Sequence, residues 1–179
     1  ALPISICAPA FDKLEQLPEA DVYLTMLSDD ALMQLAPVIV KGREKALFIH
    51  TAGSVPMNVW KEAGATRYGV LYAMQTFSKG VKLDWAQVPV FIEGCSDVEL
   101  EAIRRLALDL SPDVTPLSSK GRKKLHIAAV FACNFTNHMY AVSEQILAEE
   151  GIPFSVMLPL VRETARKVEG MSPLKAQRS

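Results

Sequence analysis

Three short stretches place hydroxyls, amides and a histidine directly after runs of β-branched and apolar residues. They are Leu27-Ser28-Asp29-Asp30, His50-Thr51-Ala52-Gly53-Ser54 and Ala73-Met74-Gln75-Thr76-Phe77-Ser78. In an open parallel sheet, ligands bind outside the carboxyl ends of the strands. Side-chain hydroxyls and backbone N–H groups at those ends suit a phosphate, a ribose or a carboxamide. The same residue types also cap helices, and for any single loop that alternative stands beside the functional one. Three such loops on one sheet edge favour a site.

A second set lies further along. With about 100° per residue and His126 at zero, Asn137 falls near 20°, Asn134 near 80° and His138 near 120°, with Glu144 back near zero. The polar residues of a mostly apolar helix thus collect on one arc. The intervening residues (Ala128 to Cys133, and Phe135) are so apolar that the helix reads as buried on nearly all sides. The arc then faces either a cleft or a satisfied structural network. Lys120, Arg122, Lys123 and Lys124 form a basic cluster at the helix start, which could meet an anion or simply be solvated. Cys95 and Cys133 have no adjacent base, so a thiol nucleophile is unsupported. His50, ending an apolar run, reads more readily as structural than as catalytic. The nine glycines never occur as GxG, so no dinucleotide fingerprint is present, and neither is HExxH, GxSxG or a P-loop.

These residues need elements to position them. Asp21–Leu27, Ala46–His50, Tyr68–Tyr72 and Val88–Ile92 read as strands. Between the first two, the spacing of Ala31, Leu32, Leu35, Ala36 and Ile39 predicts a helix with Asp29 as N-cap and Gly42 past its end. Pro56–Ala63 reads as a short helix opened by proline. Asp97–Leu110 is the cleanest amphipathic helix, capped by Asp97. Strands alternating with helices predict βαβ units and a mainly parallel sheet. From Arg122 to Glu150 neither Gly nor Pro interrupts a long helix, and a second runs from Phe154 to about Val168, with Pro159 kinking it or marking its start. Pro112–Gly121 reads as the domain junction.

The chain has 179 residues, 50% hydrophobic and 22% charged, enough for one large or two small domains with a core. Its net charge of -1 argues against an electrostatic nucleic-acid binder. No apolar run reaches the roughly 20 residues of a membrane span. The start, ALPISICAPA, has no basic region typical of a signal peptide. Three scattered cysteines (Cys7, Cys95, Cys133) make neither a disulfide framework nor a metal pair, which suggests a reduced, cytoplasmic setting.

Taken together, IHTAGSVPMNVW, YGVLYAMQTFSKG and LHIAAVFACNFTNHMYAVSEQIL resemble a family of Rossmann-like proteins that carry a C-terminal domain of unknown function 2520. These are relatives of pyrroline-5-carboxylate reductase and of deazaflavin-dependent NADP oxidoreductases. The resemblance covers about residues 20 to 177. It implies a partial Rossmann-like parallel sheet over residues 1–116, followed over 117–179 by an all-helical domain like that of 6-phosphogluconate dehydrogenase, used for dimerisation. It implies NADP or NAD as cofactor, with deazaflavin possible, and a small-molecule substrate bearing a carboxylate or imine.

The resemblance also implies roles. Leu27 and Ser28 would lie over the nicotinamide ribose and pyrophosphate, and His50, Thr51, Gly53 and Ser54 near the nicotinamide. Gln75, Thr76 and Ser78 would line the substrate side, with Asn134, Asn137 and His138 as the catalytic set on the long helix. His138 or His50 could supply a proton. Related dehydrogenases pair a Lys with an Asn on that helix, but Lys123 and Lys124 lie about three turns before Asn134. The strand, Gly-rich turn and helix that open the family are absent, and LKAQRS ends where relatives continue. A fragment cut at both ends is therefore expected, one that self-associates through unpaired strand edges. The rival reading is a non-catalytic, nucleotide- or ligand-binding dimer.

Overall fold

A computed structural model describes residues 10–78 and 80–177. The opening ALPISICAP, with Cys7, and the final Arg178 and Ser179 lie outside the described residues. The chain divides into two compact units, Ala1–Ile127 and Ala128–Ser179.

The first unit is a five-stranded sheet in the order β1 (Val22–Thr25), β2 (Leu47–His50), β3 (Arg67–Ala73), β4 (Val90–Gly94), β5 (Val114–Pro116). The crossovers are α1 (Asp29–Val40), α2 (Asn58–Glu62) and α3 (Asp97–Leu108). β1, β2 and β3 are parallel, as are β4 and β5, but β3 and β4 are antiparallel. The sheet is therefore mainly parallel, as expected, with one antiparallel pairing between β3 and β4. Among the described residues of 74–89 only the 3-10 turn Trp85–Gln87 is regular, with no helix to carry the chain back across the sheet, so β4 returns as a hairpin partner of β3.

That reversal decides which faces the helices cover. Crossovers are nearly always right-handed. For strands reversed but advancing the same way across the sheet, that handedness puts the helix on the opposite face. One core accordingly joins α1 and α2, the latter through Trp60, to Tyr23 and Phe48 of the sheet. The other joins α3, through Ile103 and Ala107, to Leu47, Ile49, Leu71, Val90 and Ile92. β2 is buried at all four positions because both layers close over it.

Two helix starts differ from expectation by one residue. Ser28, not Asp29, caps α1, its hydroxyl accepting from the Ala31 amide at 3.4 Å. Ser96, not Asp97, caps α3, accepting from Val98 at 3.2 Å. Ser96 also donates its hydroxyl to Glu99, which takes a second bond from Arg67 Nε at 3.0 Å. Those two bonds hold the Glu99 carboxyl below its usual range. The expected junction is different in kind: Val114–Pro116 pairs with β4 as a fifth strand, too short and proline-bounded for period-two patterning to register.

α4 (Ser119–Ala129) continues through a π-helical stretch, Val130–Phe135, into α5 (Thr136–Ala148). The second unit holds the π stretch, α5, a 3-10 turn (Phe154–Met157), α6 (Leu158–Gly170) and α7 (Pro173–Ala176). Pro159 lies in the first turn of α6 and marks its start without a kink. None of the described residues of this unit is buried. The apolar run expected to be enclosed instead exposes Phe131, Phe135, Met139 and Ile146. A small helical unit has too little surface of its own to cover so many apolar side chains. Among the described residues no helix is long and apolar enough to cross a membrane.

Candidate functional site

Alternation along the strands puts one row of polar side chains on a single face of the sheet. His50 of β2 and Glu93 of β4 are both in register with Val70 of β3, and Tyr72 stands one pleat further along β3. The first turns of α4 supply the partners. Arg122 Nη1 meets Glu93 Oε2 at 2.6 Å, and Arg122 Nη2 donates to the Val55 carbonyl at 2.6 Å. Ser119 adds its backbone N–H to Glu93 at 2.7 Å and its hydroxyl at 2.6 Å, while accepting from the Met57 amide at 3.1 Å. Four residues after Arg122, His126 reaches Tyr72, with the phenol oxygen 3.2 Å from Nδ1. The i, i+4 spacing of one helix face thus engages two neighbouring strands and pins the 51–57 loop.

Arg122 is 1% exposed, so the basic cluster divides: Arg122 is an internal cation, while Lys120, Lys123 and Lys124 are exposed. His50 has no exposed surface. Burial, together with the positive charge of Arg122, depresses its imidazole to about 3, against a smaller opposing effect of the Pro56 carbonyl. The ring is therefore neutral near pH 7. Its Nδ1 accepts from the Ala52 amide at 3.2 Å, which puts the proton on Nε2, an atom with no hydrogen-bond partner among the described residues. The imidazole entertained as a proton source is neutral, enclosed and faces Trp60.

The strand-end residues do come together. Thr51 donates to the Thr25 carbonyl at 3.3 Å, and Ser54 donates to Asp29. Leu27 is half-buried against the α1/α2 core. Gly53 is buried beneath His126, where a Cβ would lie 2.5 Å from Nδ1. Of the three hydroxyls, Thr51 and Ser54 donate within the protein, whereas among the described residues Ser28 only accepts, from the Ala31 amide. Gln75, Thr76 and Ser78 are exposed in the segment after β3. Asn134 lies in the π stretch, Asn137 and His138 in the first turn of α5, all three exposed and all in the second unit. A π turn bonds i to i+5, so angles taken at 100° per residue do not run through it. Among the described residues no cluster of His, Cys, Asp or Glu is placed to hold a metal ion.

Sequence reasoning passed over Tyr72, Glu93, Ser119 and the buried role of Arg122. Glu93 was the findable one: a carboxylate at the end of an otherwise apolar strand asks for a cation, and Arg122 is the first arginine after it that is not on α3.

A parallel set of strand ends followed by helices defines the Rossmann-like oxidoreductase fold, and comparison with solved structures agrees. A Bacteroides fragilis protein, provisionally assigned as an NADP oxidoreductase, superposes with a TM-score of 0.85 at 47% identity, over 93% of this chain and 64% of that one. A Thermotoga maritima protein gives 0.73 at 19% identity, over 90% and 64%. An imine reductase from Myxococcus stipitatus, solved with NADP+, gives 0.63 at 17%, over 89% and 58%, a likeness of fold alone. The family described as Domain of unknown function (DUF2520) matches residues 88–178, and the chain belongs to that family. No curated protein matches it. The chain spans under two thirds of the length of the solved relatives named here.

Proposed function

We propose that the protein is an NAD(P)-dependent oxidoreductase acting on a small substrate with an imine or a carboxylate-bearing carbonyl group. The observation that carries this is the 47% identity, over 93% of the chain, to the Bacteroides fragilis protein. The named activity of that protein and the NADP+ held by the imine reductase supply the cofactor class.

The residues present fit one end of such a cofactor. Asp29 and Asp30 occupy the first turn of α1, so its N-terminus would repel a pyrophosphate that helix N-termini otherwise attract. The Ser28 hydroxyl and the backbone around Thr51 and Gly53 suit the uncharged ribose and carboxamide of the nicotinamide. When bound, the nicotinamide would supply the hydride. On this reading Leu27 and Ser28 hold the ribose, Thr51, Gly53 and Ser54 shape the floor, and His50 fixes the loop through Ala52. Gln75, Thr76 and Ser78 would meet the substrate, and Asn134, Asn137 and His138 would complete the catalytic set. The helical unit would dimerise through its apolar side chains. A deazaflavin has no counterpart in the relatives named and forms no part of the proposal.

The test is a thermal shift against NADPH and NADH, on the full-length protein and on this chain side by side. A rise of several degrees in the full-length protein is expected, with a smaller rise or none in the chain alone. No rise in either, with a stable dimer present, would support the rival ligand-binding dimer. That rival draws on one observation: the Thr51 and Ser54 hydroxyl protons are already engaged internally.

A further inference from the structure

Most of the polar row is closed off. His50 is enclosed and neutral, and Arg122 and Glu93 pair with each other, leaving Arg122 Nε buried with no partner among the described residues. The Tyr72–His126 pair differs. Both residues are half-buried, their rings meet edge to face with centroids 6.1 Å apart, and the phenol oxygen lies 3.2 Å from Nδ1. The pair rests on the Gly53 backbone, where an added Cβ would lie 2.5 Å from Nδ1 and 3.0 Å from the tyrosine ring. Two proton-exchanging groups thus stand at the carboxyl ends of β2 and β3, over the loop assigned to the nicotinamide, with a path to solvent.

We propose that Tyr72 is the proton donor of the reduction and that His126 is the positioning residue that holds and recharges it. This rests on the nicotinamide-dependent reading above and narrows its substrate to a compound whose reacting C=N or C=O group is itself uncharged, because an iminium ion would need no proton. In the step, hydride from a reduced nicotinamide forms the new C–H bond and the nicotinamide is oxidised. The π pair of the double bond moves to the heteroatom, which takes the phenolic proton of Tyr72. The phenolic oxygen takes the Nδ1 proton of His126, and solvent replaces it.

The test uses the full-length protein with 15N-labelled histidine, NADPH as cofactor and 1-pyrroline as substrate probe. Tyr72→Phe is expected to lower kcat by about 100-fold, in the range of a lost general acid, while the Kd for NADPH changes by less than about 3-fold. His126→Gln is expected to lower kcat by about 10-fold with the same unchanged affinity. Independently of turnover, the His126 ring resonances, assigned by their loss in His126→Gln, are expected to move on saturation with NADPH and in cofactor-free Tyr72→Phe. Should Tyr72→Phe be too unstable, His126→Gln carries the kinetic comparison. Should the wild type bind NADPH without reducing 1-pyrroline, the resonances decide: movement with NADPH supports the pair and stillness overturns it. NADPH binding with neither a kinetic loss nor a moving resonance overturns this inference alone. Absence of NADPH binding overturns the oxidoreductase reading, and the pair falls with it.

Discussion

The two units bury their side chains very differently. In the sheet unit Glu93, Arg122 and Ser119 near the strand ends find partners within the unit, and the large apolar residues of β2 are covered on both faces. In the helical unit no described residue is buried, and Phe131 and Phe135 stack on each other at 5.0 Å while both stay exposed. The first unit satisfies its own chemistry, and the second presents chemistry for something else to meet. Stability should therefore be concentrated in the sheet unit and association in the helical one, and substitutions can break that division at its strongest point first.

Removing one member of the Arg122–Glu93 pair should be the costliest change. The Arg122 side chain is 1% exposed and that of Glu93 14%, so either partner left alone would be a charge held away from water. Arg122→Met or Glu93→Leu alone is expected to lose about 3–5 kcal/mol of unfolding free energy in urea titrations. The double variant should recover most of that loss, because a buried pair contributes little beyond an apolar replacement. Equal losses in the single and double variants would place the cost in the Val55 and Ser119 bonds instead.

Acid should act through His50. Its folded pKa, about 3, lies below its unfolded value near 6.5, so the unfolded chain takes up a proton the folded chain refuses. The stability is present above pH 6.5 and is lost as pH falls toward 3. Between pH 6.5 and 4 the loss is on the order of 3 kcal/mol. Urea midpoints across that range should fall more steeply for the wild type than for His50→Gln. Parallel slopes would mean that the imidazole is accommodated as a cation.

Gly53→Ala tests the floor of the site. The added methyl would meet His126 at 2.5 Å, and the expected cost is about 1–3 kcal/mol, typical of overpacking. The His126 resonances should move with it, as the ring leaves Tyr72. In the helical unit, Phe131→Ser with Phe135→Ser should leave the sheet's urea midpoint unchanged. If that face pairs with a second copy, sedimentation should show the dimer constant weakened by about 30-fold, the effect of losing an interface anchor.

Much of this was legible beforehand, and the failures have physical causes. Four strands, α1, α3 and the proline start of α6 follow from local patterning, because each buries one clear face. β5 was hidden because three residues, the last of them Pro116, carry no period. The reversal at β4 was hidden because strand direction depends on the connection across 74–89. That polar loops follow β1, β2 and β3 was legible because Ser, Thr and Gly after apolar runs carry a local meaning. The Arg122–Glu93 and His126–Tyr72 pairs were not, because their partners lie 29 and 54 residues apart and meet only once α4 packs on the sheet. The long helix was misread as buried because apolar composition shows what must be covered without showing what covers it.

The smallest effect separates the two roles of Ser28. As N-cap of α1 its oxygen accepts from Ala31, and its proton can serve a ribose oxygen. Ser28→Ala removes both and should cost about 1 kcal/mol of stability together with a weaker affinity of the full-length protein for NADPH. Ser28→Asp keeps a capping acceptor but has no proton to give and adds a third carboxylate beside Asp29 and Asp30. Its stability should return toward wild type while its NADPH affinity falls below that of Ser28→Ala. If affinity instead follows stability in both variants, Ser28 acts only through the helix it caps, and the ribose contact belongs to the backbone of the 51–54 loop.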